Sequence, residues 1–441
     1  MITMPLDETS QESFSHNTWY LGYLTSNISG GLTTPLIPLF ITVYLGLNVF
    51  YVGITSAIAS AASVPALIIW GLLSDRFRKR KIFILIGFFG GFISLLPMIY
   101  VRNVIDYIGV LVAFQVVVMA CVPVSTMILI ENTTEDRWSS VMGRFNFIAS
   151  IGTVLGLAGG IAFIYYFAGI GGRIFLYVYV IAAFVYLASA IIISIAIPEP
   201  KKKLERRRLA NLHSTRIMER IRFFPTNVIH FFGLNEGRNR IDRKLKTYLF
   251  FTFFLMFSFQ MFFVPYPVFV ITKLNASTIE IYILYIMNSA LGTITFQLTG
   301  RVSARMGLRK MLGTVLMVRI AVFGMTAGIA YIMSPDTTWL IVAILIYGLI
   351  GSLWSFIAIA ETASVSVMSL KSTRGKAIGY YNSLNGAGQI FGGLLSGAVS
   401  LYLGYSMDFL IAAVMVTVGA LMIVRLTPVG TTRPSVSAAA T

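Results

Sequence analysis

The chain has 441 residues, 57% of them hydrophobic and only 12% charged, against about a quarter charged in ordinary soluble domains, so most of it cannot face water. Its net charge of +17 raises nucleic acid as a partner, a question that the placement of Lys and Arg decides below. The single cysteine, Cys121, lies inside an apolar run, which excludes an internal disulfide framework and a Cys-based metal site.

Residues 1–17 carry Asp7, Glu8 and Glu12 and no Lys or Arg. That is not the basic opening of a cleaved signal peptide, and the stretch reads as a cytoplasmic tail. Apolar stretches follow at 18–45, 50–72, 82–100, 108–130, 145–168 and 174–197. After the polar segment 198–246, six more occur at 247–271, 281–299, 310–332, 338–366, 377–401 and 405–426. A helix needs roughly 20 apolar residues to cross a hydrocarbon core of about 30 Å. The expected fold is therefore an all-α membrane protein of twelve transmembrane helices. Residues 18–197 and 247–426 form its two pseudo-symmetric six-helix bundles, 198–246 is a basic cytoplasmic linker, and 427–441 is a cytoplasmic tail.

With both termini inside, only Arg102, Arg173 and Lys273 of the 34 Lys and Arg fall in external loops, and Arg319 falls within a span. This asymmetry is the positive-inside rule, so the basic charge reports topology and attraction to anionic lipid heads. Nucleic acid is set aside. The linker holds 14 Lys and Arg. Within it, Leu209 to Phe232 mixes Ile217, Ile221, Phe223 and Phe224 with Arg216, Arg220 and Arg222. That pattern suits a helix lying at the membrane surface or a solvated charge run that only orients the protein.

The two halves repeat one another at an offset of about 230 residues. Pro35 and Pro38 in the first span match Pro265 and Pro267 in the seventh, and both spans are expected to be kinked or broken. The loop from Gly71 through Asp75, Arg76, Lys79 and Arg80 matches the one through Gly300, Arg305, Gly307 and Arg309. The best match sets Gly143, Asn146, Gly152 and Gly156 against Gly379, Asn382, Gly388 and Gly392 at identical spacing. Gly152, Gly156, Gly388 and Gly392 are expected to let helices approach closely.

Ionisable groups within spans are costly and are functional candidates by default. Arg319 and Glu361 both fall roughly 10–15 Å below the internal surface at about 1.5 Å per residue. An ion pair between them would neutralise two costs at once. Alternatively, Glu361 loads and releases a proton as its distance from Arg319 changes. His16, His213 and His230 lie outside the spans, so a histidine relay is not expected. No G-x4-G-K-[ST], H-E-x-x-H or G-x-S-x-G segment occurs, which argues against ATP hydrolysis and against a membrane enzyme.

The segment Gly71-x3-Asp75-Arg76-x-x-Lys79-Arg80, its partner after the eighth span and the six-plus-six arrangement together resemble the major facilitator superfamily. The resemblance covers nearly the whole chain. It implies two six-span halves that rock about a shared midplane site, with Asp75 and its neighbours as a gating loop that pairs in one state only. An ordinary interfacial charge pair is the simpler role for that loop. Arg78 stands where the family motif has glycine and Ala304 where the second copy has aspartate, so the charge device is expected in the first half alone.

The resemblance also places spans 1, 2, 4, 5, 7, 8, 10 and 11 around a central cavity. Asn27, Gln115, Gln260, Asn288 and Gln389 are then the candidate lining amides, with interhelical glue as their other role. Tyr23, Met119, Phe259, Met261, Phe262, Tyr285 and Trp354 would make such a cavity apolar and adaptable. Gly152, Gly156 and Gly160 resemble the glycine-rich element of antiporters, although Leu157 stands at its proline position.

The expected function is secondary transport of a small, apolar or weakly polar solute by alternating access, as proton-coupled export. Uptake of a sugar or metabolite, or a non-transporting sensor, are the alternatives. No cofactor is expected, and the protein is expected to be a monomer in the plasma membrane.

Overall fold

In hydrocarbon each backbone N–H and C=O has to be satisfied within the protein, so a membrane-spanning chain is confined to helices or closed barrels. A computed structural model of the chain describes residues 18–77, 80–131, 138–197, 242–369 and 374–428. Regular structure among these residues is helical. The terminal tails, nearly all of the linker with its surface-helix candidate, and Lys79 lie outside the described residues, as do Glu135, Asp136 and Arg137.

The first span comprises α1 (Trp19–Thr33), α2 (Leu36–Leu39) and a wider π turn over Phe40–Tyr44. Helices α3 (Val49–Phe77) and α4 (Arg80–Leu95) follow, then α5 (Val104–Val118) with α6 (Cys121–Glu131), α7 (Trp138–Tyr166) and α8 (Ile174–Ala196). The second half contains α9 (Arg243–Phe263) with α10 (Tyr266–Lys273), α11 (Thr278–Met306), α12 (Leu308–Ile332), α13 (Thr337–Met368), α14 (Arg374–Tyr402) and α15 (Tyr405–Leu426). Ten stretches are long and apolar enough to cross a membrane. The two expected spans outside that set are the first, interrupted at Pro35, and α14, diluted by Gly, Ser and Asn. Together they are consistent with twelve crossings.

Both expected proline breaks occur: α1 gives way to α2 at Pro35, and α9 gives way to α10 at Pro265. A proline ring has no N–H to donate and collides with the preceding turn. The fourth span departs from the expectation of one continuous helix. It breaks between α5 and α6, where Pro123 cannot donate to the carbonyl of Met119. Gly307 joins α11 to α12 with φ of 75°, a left-handed conformation that favours glycine.

The repeat extends to individual atoms. A Cβ on Gly152 or Gly156 would meet the carbonyl oxygens of Leu24 and Ile28 at 2.2 and 2.0 Å, so α7 lies directly on the backbone of α1. In the second half, Gly388 and Gly392 bring α14 onto α9, where a Cβ would meet Phe253 O and Phe257 O at 2.7 and 2.4 Å. Ser29 donates to the Ala182 carbonyl at 2.8 Å, tying α1 to α8, while Ser258 donates to Ala412 at 2.6 Å, tying α9 to α15.

Contacts between the halves gather toward the face that charge placement assigns to the outside. Gly53 of α3 meets Gly393 and Gly397 of α14 backbone to backbone, and Val64 fills the space over Gly386. Gly160 of α7 forms a notch for the Tyr282 ring of α11, and the Tyr282 hydroxyl donates to the Leu32 carbonyl at 2.7 Å.

Gly156→Leu is expected to destabilise the detergent-purified protein by about 3 kcal/mol or prevent its folding, because the steric conflict is with backbone. Gly159→Leu, at a position with open space, should leave thermal unfolding nearly unchanged; equal shifts for the two would contradict the packing.

Candidate functional site

Between the halves lies a cavity of about 380 Å³. Helix α9 contributes Met256, Phe259, Gln260 and Phe263, and α11 contributes Asn288, Ser289, Gly292, Thr293 and Phe296. Gly351 and Trp354 of α13 and Gln389 of α14 close the wall, with Ser150 and Thr153 of α7 opposite. The second half thus supplies most of the lining. The proline break that ends α9 lies just beyond Phe263, within two residues of the lining. No Asp, Glu, Lys, Arg or His is among these lining residues. Their chemistry is aromatic faces, amides and hydroxyls, suited to an apolar body with a few polar groups.

Three of the five candidate amides, Gln260, Asn288 and Gln389, meet here. Asn288 Nδ2 donates to the Tyr347 carbonyl at 2.8 Å, so its oxygen is the group left to face a solute. Gly351 packs against Asn288, where a Cβ would come within 2.6 Å of Nδ2. Asn27 and Gln115 are not among the lining residues. The Asn27 amide folds back on its own helix, donating to the Tyr23 carbonyl at 2.7 Å. Gln115 lies just ahead of the break between α5 and α6, where its own carbonyl accepts the Met119 N–H at 3.1 Å.

Of the aromatic and thioether candidates, Phe259 and Trp354 line the cavity with ring centroids 6.0 Å apart. Tyr23, Met261 and Phe262 are core instead; Phe262 stacks on Phe323 at 4.1 Å.

Behind the aromatic wall sits Arg319 of α12, with 0% of its surface exposed. Its guanidinium carbon lies 3.9 Å from the centroid of Phe259 and 5.5 Å from that of Phe263. None of its three side-chain nitrogens has a hydrogen-bond partner. The expected contact pair with Glu361 is therefore absent: the two charges act on each other only across a gap. Glu361, 1% exposed, instead accepts the Tyr381 hydroxyl on Oε2 at 2.8 Å, while its Oε1 has no partner. Cation–π stacking is worth about 2 kcal/mol when desolvated, less than the several kcal/mol needed to bury an ion, so this arrangement is costly to maintain.

One buried acid was not singled out from the sequence. Asp408 at the start of α15 is 0% exposed, accepts the Ser400 hydroxyl at 2.6 Å and has an unpartnered Oδ1. Its signal was an aspartate one turn inside a span.

In the expected gating loop, Arg80 Nη1 donates to Ser74 Oγ at 2.6 Å, and Gly71 and Gly300 face no close atom that would demand glycine. Arg305 is exposed and Arg309 half-buried. The side chains of Asp75 and Arg76 lie outside the described residues.

The family model of the Major Facilitator Superfamily matches residues 19–368. No curated protein matches the sequence. A solved mutant of the nucleoside transporter NupG is 15% identical, with a TM-score of 0.69 over 93% of this chain and 98% of that one. A D-xylose-proton symporter is 14% identical, at 0.69 over 96% and 99%. A bacterial homologue of the human lysosomal transporter Spinster, in an inward-facing and occupied conformation, is 13% identical, at 0.67 over 96% and 97%.

Cys121 is buried and gives a quiet background for thiol labelling. Gln260→Cys and Gln389→Cys are expected to react with a water-soluble maleimide at least tenfold faster than Phe262→Cys in the core. Equal rates would contradict an aqueous cavity at this place.

Proposed function

The chain belongs to the Major Facilitator Superfamily and is a secondary membrane transporter; from this premise we propose that it exports a small, apolar or weakly polar solute by alternating access, in exchange for protons. The observation that carries the substrate reading is the lining of the cavity. Its aromatic rings and neutral amides offer no paired charges for a phosphate or dicarboxylate. The close approach of the halves on one side of the cavity, at Gly53, Gly160 and Tyr282, supports one end state of a rocking cycle. Separating the halves there and joining them on the opposite side would give the other.

Glu361 is the proposed coupling residue. It is buried, held by one hydrogen bond from Tyr381 and left with one free oxygen, and Arg319 and Tyr248 are the groups that share its field. A movement between α13 and α14 alters that hydrogen bond and with it the carboxyl's affinity for a proton. Asp75, Arg76 and the loop around Gly307 are proposed to gate the inner side. The protein is proposed to act as a monomer in the plasma membrane, with both termini inside and its basic loops against anionic lipid heads.

Uptake is the competing direction. It is favoured by Leu157 at the proline position of the antiporter-like element and by the D-xylose-proton symporter among the solved relatives.

Purified protein in liposomes decides these points. A pH gradient is expected to drive flux of lipophilic solutes, and Glu361→Gln should abolish the response to the gradient while retaining at least a tenth of the downhill exchange. A variant that keeps its full response removes Glu361 from coupling, and solute binding without flux under any gradient would remove transport itself.

A further inference from the structure

Within the transporter reading, we propose that the cavity selects monoanionic aromatic acids over their uncharged counterparts, and that Arg319 is the residue that makes the distinction. An arginine stays charged under any physiological condition, and its planar group carries five N–H donors matched to a carboxylate. Here it is fully buried and all three nitrogens lack hydrogen-bond partners. Within the protein its compensation is incomplete. Glu361 attracts it but is committed to the Tyr381 hydroxyl. A cation held in this way attracts an anion, and the cavity is where an anion can arrive from water.

Phe259 connects the two places. Its ring lines the cavity and also lies under the guanidinium at 3.9 Å; Phe263, 5.5 Å away, does the same on the adjacent turn. For this the Phe259 side chain must swing to another rotamer and uncover the N–H groups toward the cavity. The lining contributes no acidic residue to repel an incoming carboxylate. Trp354 and Phe296 remain to stack the solute's aromatic body, and Gln260 remains to hydrogen-bond the carboxylate oxygen that Arg319 does not reach. One incompletely compensated cation fits one negative charge, which distinguishes such a solute from a dicarboxylate.

Radiolabelled 2-naphthoate and its neutral isostere 2-naphthamide test this on the purified full-length protein by equilibrium binding. Naphthoate is expected to bind at least tenfold more tightly than naphthamide. Arg319→Gln should lower naphthoate affinity to that of naphthamide and so erase the preference; remaining binding of either probe reports that the variant is folded, and Arg319→Lys should keep a reduced preference. Equal affinities for the two probes in the unaltered protein, a preference that survives in Arg319→Gln, or no binding of either probe would each overturn the inference. The comparison of probes on the unaltered protein stands even if Arg319→Gln does not fold. Gradient-driven flux of a neutral solute in the same preparation would leave the transporter reading in place when the anion preference fails.

Discussion

The whole arrangement depends on two helix pairs approaching until backbone touches backbone. In lipid no hydrophobic force drives helices together, so association rests on packing and on hydrogen bonds between spans. Gly152 and Gly156 lay α7 against the carbonyls of α1, and Gly388 and Gly392 do the same for α14 and α9. Together with the serine bonds to Ala182 and Ala412, these pairs tie each half together internally, and the cavity lies at the interface between the halves.

That interface is closed on one side by the same device. Gly53, Gly393 and Gly397 permit close approach, yet they are joined by contact rather than by charge. The Tyr282 ring in its glycine notch adds a single hydrogen bond to Leu32. The proposed cycle exchanges these contacts for a set on the other face. Among the described residues, the buried charges Arg319, Glu361 and Asp408 lie inside the second half, and Arg319 sits directly behind the cavity wall. Their cost of burial is a reason to connect them with solute and proton rather than with stability.

Much of this was legible in the sequence, because spacing records packing. The glycine repeat and both proline breaks correspond to specific contacts and helix ends. Gln260, Asn288 and Gln389 were recognisable as polar groups in the middle of apolar spans, and they meet at one cavity. Side-chain direction was not legible in the same way. Asn27 satisfies the polarity argument equally well but turns back to the Tyr23 carbonyl. Arg319 and Glu361 share a depth, and depth does not specify azimuth; the one faces Phe259 and the other Tyr381. Asp408 was not singled out, since an aspartate one turn inside a span has the sequence position of an interfacial charge and only burial separates the two. Pro123 lies in an apolar run whose hydropathy stays high across the break, so composition did not show the interruption there.

In the proposed cycle the halves must separate on the closed side for a solute to cross. A Cβ on Gly393 would stand 3.8 Å from the Ser56 Cβ, the spacing a disulfide requires, so cysteines at these two positions should form a disulfide across the interface. Ser56→Cys/Gly393→Cys protein in liposomes is expected to lose at least nine tenths of its flux on oxidation and to recover it on reduction. Undiminished flux with the bond fully formed would contradict the account.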